Sequence, residues 1–264
     1  LERKPLPLTE TDIHSWLTGA PLTATAQAAL TTALFPTAKN NNPDPIRLLL
    51  FCDPGHSDQG AAQAAVAVWE AAYPARGAFS QTLWAGVLHL DESETAVVFM
   101  AENSGLSVKE AALLTRETLQ AEYFLSVVCG ISAPFAALPF GEKAFTEAQE
   151  CLALASEQAT VQLWEETALP RLLQALPLSA CDEFCREFGR GMAVAVDHEL
   201  LRTAECFVAH DLSVPKTAAA LFCHRNTLLY RLTRFEELTG LDLRRAQNAA
   251  EFSVWLAVRR RVSI

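Results

Sequence analysis

No apolar run in this 264-residue chain approaches the ~18–20 residues that a membrane-crossing helix needs. A basic start followed by an apolar segment, the mark of a secretory signal peptide, is also missing. These two absences point to a chain that works in the cytoplasm and makes no use of a membrane. The short glycine motifs of nucleotide chemistry are absent as well. There is no Gly-x-Gly-x-x-Gly and no phosphate loop, and Gly189-Arg190-Gly191 is too short to cradle a phosphate. Without a Gly-x-Ser-x-Gly elbow, Asp197, His198 and Ser213 resemble a hydrolase triad only in composition. The first residue is Leu1, not methionine, as expected of a fragment or a processed form.

The seven cysteines are an odd number and lie mostly inside apolar patterns, as reduced cytosolic thiols do. Cys181 and Cys185 stand four apart on a predicted helix, a spacing that suits two metal-binding thiolates, but no second pair with ligand spacing occurs later in the chain. Cys206, His210, Cys223 and His224 lack zinc-finger spacing. Packed thiols are the expected reading, and no metal or other cofactor is expected.

What is present describes a globular chain. Half the residues are hydrophobic and 20% are charged, enough to bury cores in one to three domains. The net charge of −10 argues against nucleic acid only if it is read over the whole chain. Residues 199–264 hold ten Lys/Arg against seven acids, a surplus of +3, while the other 198 residues carry −13. A basic C-terminal part beside an acidic remainder suggests that only the former meets phosphate.

Along the chain, Thr11–Thr18 and Leu22–Phe35 read as helices, and Asn40 to Pro45 as a loop. Ile46–Phe51 is bounded by turn residues and reads as a strand, with an alanine-rich helix after it over Gly60–Ala72. Thr82–Leu90 and Thr95–Met100 read as a hairpin joined through Asp91 to Glu94. A helix is predicted over Val108–Glu122, a β-type run over Phe124–Cys129, a helix over Ala144–Ala155 and a short strand over Val161–Trp164. The order β-α-β-β-α-β-α-β predicts an α+β domain with a mixed sheet and ferredoxin-like winding. Helices over Glu165–Leu176 and Ala180–Arg190, separated by Pro177, read as a connector. The expected division is an N-terminal helical segment (1–43), the α+β domain (44–165), the connector (166–197) and an all-α domain (198–264).

The most informative stretch runs from Val214 to Leu243. Pro215 suits a first helical turn, because its missing N–H would be unpaired there anyway. A second helix starts near His224 or Arg225, with Leu228, Leu232, Phe235 and Leu238 on one apolar face and Gly240 as its stop. The other side offers Arg225, Asn226, Thr227, Tyr230, Arg231 and Arg234. Arg225 sits at the positive end of the helix dipole, where stability alone favours an acid. By spacing alone the stretch reads equally as a solvated helix pair or as a helix-turn-helix whose second helix carries hydrogen-bonding side chains into the major groove.

The string "TAAALFCHRNTLLYRLTRFEELTGLDL", preceded by "LLRTAECFVAHDLSVPK", resembles the C-terminal helix-turn-helix of the PucR/CdaR family of bacterial transcriptional regulators. Phe222 stands at the turn, where many helix-turn-helix proteins have glycine. "VVCGISAPFAALPFGEKAFTEAQECLALA" resembles the GGDEF-like domain that precedes that helix-turn-helix in the same family. Active diguanylate cyclases carry a glycine pair on the hairpin turn. Here that turn is His89-Leu90-Asp91-Glu92-Ser93-Glu94, whose backbone cannot approach a phosphate closely, so no enzymatic activity is expected.

The resemblance implies a sequence-specific regulator of a metabolic operon that binds double-stranded DNA as a homodimer and answers to a small-molecule effector. Effector sensing in the family usually resides in a separate N-terminal domain, which is not recognisable in this chain. Arg225 and Asn226 would read base edges, while Thr227, Tyr230, Arg231 and Arg234 would hold phosphates. Lys216 and Thr217 would contact the DNA backbone from the first helix. The alternative is a non-catalytic ligand- or nucleotide-binding signalling or scaffold module.

Overall fold

The computed structural model describes residues 8–35, 44–54, 60–74, 82–90, 93–102, 107–156, 159–195 and 197–262. The chain forms two compact units, Leu1–Arg171 and Leu172–Ile264. The stretch 166–197, expected as a connector, is divided between them. Residues 1–7, most of the expected Asn40 loop, and the hairpin residues Asp91 and Glu92 lie outside the described residues.

The first unit is an α+β sandwich. Its strands are β1 (Ile46–Cys52), β2 (Thr82–Leu90), β3 (Ser93–Ala101), β4 (Val128–Ile131) and β5 (Val161–Leu163). They lie in the order β2-β3-β1-β4-β5. β1 is antiparallel to both β3 and β4, β2 is antiparallel to β3, and β5 adds parallel to β4, so the sheet is mixed. Helices α3 (Ala61–Ala72) and α4 (Val108–Glu122) each come after one strand and lead to another two places across the sheet.

β1 reads as an unbroken apolar run, with Arg47 as its exception, because both faces of the sheet are covered. Leu49 and Phe51 face one core with Val98, Met100 and residues of α3 and α4. Ile46, Leu48 and Leu50 face the other with Val97, Phe99 and three further helices: α1 (Glu10–Leu17), α2 (Ala24–Leu34) and α5 (Gly141–Leu154). α1 opens with a capping box, in which Thr9 accepts from the Asp12 N–H at 3.1 Å and the Asp12 carboxylate accepts from the Thr9 N–H at 3.2 Å. Buried indoles are satisfied: Trp16 donates to the Leu138 carbonyl and Trp69 to the Thr82 hydroxyl, each at 2.8 Å.

One expected element shifts. The β-type run predicted over Phe124–Cys129 becomes strand only from Val128. Phe124 has φ 57°, and the Leu125 N–H turns back to the Leu119 carbonyl at 3.1 Å, closing the end of α4. Pairing begins where Val128 meets Cys52 on β1. Apolar content marked the run, but local hydrogen bonding at the helix end decided where extended backbone could start.

The second unit is helical: the end of α6 (Ala168–Gln174), then α7 (Leu178–Ala195), α8 (His198–Ala209), α9 (Val214–Ala220), α10 (Arg225–Thr239) and α11 (Ala246–Val262). Leu200, Ala204 and Phe207 of α8 pack with Leu228, Leu232 and Phe235 of α10 and with Phe252 and Trp255 of α11. Trp255 stacks on Phe252 with ring centroids 5.7 Å apart, closing the small core as its spacing predicts. Cys181 is buried against Leu173 and Val258, while Cys185 packs beside Phe184. Arg261 donates to the carbonyls of Leu173, Gln174 and Leu176 at the end of α6, satisfying groups a helix terminus leaves open.

Candidate nucleic-acid interface

Asp197 caps α8, accepting from the Leu200 N–H at 2.8 Å. That capping role accounts for Asp197 beside His198 without any triad chemistry. Ser213 caps α9, whose short length brings Ala218 into contact with the core.

The end of α9 sets the turn. The Phe222 N–H donates to the Ala219 carbonyl at 3.1 Å and the Cys223 N–H to the Ala218 carbonyl at 3.0 Å. With Leu221 as the last helical cap, these two bonds form a Schellman motif, which requires left-handed backbone at Phe222. Its φ is 50°, where a side chain costs about 1–2 kcal/mol relative to glycine. The ring is also 97% exposed.

Two residues later His224 turns extended and caps α10, its Nδ1 accepting from the Asn226 N–H at 3.3 Å. This requires the tautomer with the proton on Nε2. α10 then starts at Arg225, and its buried stripe of Leu228, Leu232 and Phe235 fixes which side chains point outward.

Arg225, Asn226, Thr227 and Tyr230 are all exposed, Tyr230 to 70%. Among the described residues none of their side chains has a hydrogen-bond or ion-pair partner. Asn226 and Tyr230 are four apart on the face opposite the core. Arg225 is a cation on the first turn, a placement that costs about 0.3–1 kcal/mol when nothing outside the helix answers it.

The other expected contact residues stand differently. Arg231 is half-buried and pairs with Glu199 of α8. Arg234 pairs with Glu237 at 2.9 Å, and Lys216 lies 3.6 Å from Asp211. Surface pairs of this kind contribute roughly 0–1 kcal/mol, so a phosphate can displace the acid at little cost. Thr217 must be withdrawn as a backbone contact. It is fully buried, and its hydroxyl donates to the Ser213 carbonyl at 2.8 Å, inside the first turn of its own helix.

Sequence reasoning missed two features. Glu199 as the partner of Arg231 is 32 residues away and leaves no local signal. The knot after α10 was also missed: Arg244 donates to Asp242 at 2.6 Å and pairs with Glu236. The Arg244 hydrogen bond holds the Asp242 carboxyl below the usual carboxylate range, outweighing the opposing effect of burial. The pairing of Asp242 and Arg244, two apart just beyond a stop glycine, was the available signal. Cys206 and His210 meet only locally, Sγ to Nδ1 at 3.5 Å. Among the described residues no group of three His, Cys, Asp or Glu side chains is placed to hold a metal ion.

Residues 200–259 match the family model described as the PucR C-terminal helix-turn-helix domain. The chain is similar to the purine catabolism regulatory protein of Bacillus subtilis (strain 168), at 29% identity over 55% of this chain and 28% of that protein. It is similar to the carbohydrate diacid regulator of Escherichia coli (strain K12), at 40% identity over 30% of this chain and 21% of that protein. It also resembles the transcriptional activator PmfR of Paenarthrobacter nicotinovorans, at 33% identity over 50% of this chain and 28% of that protein. The chain therefore aligns with less than a third of the length of each of these relatives. Helices α8 to α11 thus form a domain of the PucR C-terminal helix-turn-helix type, and the relatives that align with the chain support a regulator of the PucR/CdaR kind.

Proposed function

We propose that the chain is part of a sequence-specific transcriptional regulator that binds double-stranded DNA and controls a metabolic operon. The observation that carries this reading is the first turn of α10. It holds Arg225, Asn226 and Thr227 open to solvent, with the cation at the helix end where it is least comfortable. A guanine edge or a phosphate offsets that cost. Arg225 and Asn226 read base edges, Thr227 and Tyr230 contact the DNA backbone, and Arg231, Arg234 and Lys216 exchange their acidic partners for phosphates.

One helix-turn-helix covers a few base pairs, so useful affinity calls for a homodimer on two half-sites about one helical turn, or a multiple of it, apart. The first unit is read as a GGDEF-like domain without catalysis, in keeping with the order of its strands and helices. The working division remains a helical segment (1–43), this domain (44–165), a connector (166–197) and the DNA-binding domain (198–264). The regulator acts in the cytoplasm and answers to a small metabolite.

The test is fluorescence anisotropy at two salt concentrations, using a duplex that the chain itself selects from a random-sequence pool and a scrambled duplex. Salt-sensitive binding with preference for the selected duplex is expected. Arg225→Ala is expected to lower that preference by roughly 5- to 150-fold, the equivalent of about 1–3 kcal/mol. Binding to both duplexes with an unchanged ratio would overturn the base-reading role. No binding by a folded dimer at low salt would favour a ligand-binding or scaffold module instead.

A further inference from the structure

Phe222 combines two unfavourable features that no packing among the described residues offsets. Its backbone occupies the left-handed region at φ 50°, and its ring is 97% exposed. Glycine satisfies the same Schellman motif without strain, and the chain uses glycine at the end of α10, where Gly240 has φ 76°. The turn therefore does not need a phenylalanine. Its position is distinguished by the residues after it. Arg225 stands three residues on, and beyond it Asn226, Thr227 and Tyr230 form the exposed surface that lacks protein partners among the described residues. Phe124 in the first unit also has left-handed backbone and an exposed ring, but its exposed neighbours in sequence, Glu122 and Tyr123, offer no positive charge to a nucleic acid.

We propose that Phe222 is a DNA-contact residue. Its ring packs on apolar carbons of the duplex, a thymine methyl or a deoxyribose, beside the bases met by the first turn of α10. The inference rests on the DNA-binding reading above and deepens it. The major groove presents apolar surface through the thymine 5-methyl, and apolar side chains recognise it. A ring fixed at a rigid helix end, not on a flexible tip, loses little freedom on binding. Its contribution is independent of charge, so it adds affinity without releasing counterions.

The experiment compares the unsubstituted chain with Phe222→Gly, Phe222→Leu and Arg225→Ala on the duplex the chain selects, by anisotropy across a salt series and by thermal melting. Phe222→Gly is expected to melt at the same temperature or a few degrees higher, because strain is relieved. Its affinity is expected to fall about tenfold, with the slope of log affinity against log salt unchanged. Phe222→Leu should retain most of the affinity. Replacing thymine by uracil in the duplex assigns the contact. A loss for the unsubstituted chain that is absent in Phe222→Gly points to the methyl, and equal binding of both duplexes points to the sugar.

Unchanged affinity in Phe222→Gly overturns the proposal, as does a loss accompanied by a lower melting temperature, which would make the ring part of the fold. If Arg225→Ala weakens binding while Phe222→Gly does not, only this inference falls. If the unsubstituted chain binds no DNA, the functional reading falls and takes this one with it.

Discussion

Arg47 in the first unit and Arg225 in the second put the same side chain to opposite uses. Arg47 lies on β1 with its side chain only 9% exposed. It grips Glu102 after β3 with Nε and Nη2, donates to the Ser132 carbonyl at 2.8 Å and reaches Glu165 at 3.0 Å. Burial alone would lower its pKa, but hydrogen bonds to Glu102 and Glu165 outweigh that and hold it above the ordinary value. Arg225 has open water around it and no partner among the described residues. A charge that the fold needs is surrounded by acceptors, whereas a charge held for something outside the protein is left without them. Arg47 in the acidic first unit is satisfied internally, and Arg225 in the more basic second unit is presented outward.

The largest expected effect tests the inward side of this contrast. Arg47→Met removes the donor shared by three acceptors from different parts of the first unit. Breaking a buried pair by removing one partner costs about 3–5 kcal/mol, but Glu102 and Glu165 are 31% and 45% exposed and can recover water. A loss of about 2–3 kcal/mol is therefore expected, read as a shift of the first unit's urea midpoint. DNA affinity of the variant, measured where it is still folded, should stay within about twofold. A larger loss would show that the two arginines do not serve separate purposes.

A smaller effect sharpens the contrast within the second unit. Gly240 and Phe222 both have left-handed backbone, and a Cβ at Gly240 would meet nothing within 4 Å. Gly240→Ala is therefore expected to cost about 1 kcal/mol through backbone strain alone, seen as a lower melting temperature with DNA binding intact. This is the mirror image of the expectation for Phe222→Gly. Equal responses at the two sites would mean that the residue at a left-handed helix end is chosen for the turn and for nothing else.

Much of this was legible in the sequence, and for identifiable reasons. β1 declared itself by an apolar run between turn residues, and α10 by Leu228, Leu232 and Phe235 with Gly240 after them. Both signals are local and periodic. Trp255 was readable as the lid of the small core because its spacing joined Phe252. The start of β4 was not readable, because Phe124 to Val127 are nearly as apolar as a strand and only the turn at Phe124 shows otherwise. Thr217 was misjudged because a threonine at the start of a helix looks exposed on paper. Its burial depends on how α9 meets the core, which spacing within α9 does not reveal. Similarly, Arg231 and Arg234 look alike in the sequence, and only the fold sets Glu199, distant along the chain, against one of them.

The smallest expected effect on stability addresses the outward side. Arg225→Glu places an acid on the first turn of α10, where it complements the helix dipole. It should raise stability by a few tenths of a kcal/mol, up to about 1. The substituted side chain is exposed and leaves no partner behind among the described residues, so no loss offsets the gain. The same change sets a negative charge where a guanine edge or phosphate would lie, so binding of the selected duplex should fall by far more than in Arg225→Ala. Stability and affinity then move in opposite directions from one substitution, which a purely structural arginine cannot produce. If Arg225→Glu instead lowers the melting temperature, Arg225 has a role within the fold, and the contrast with Arg47 no longer holds.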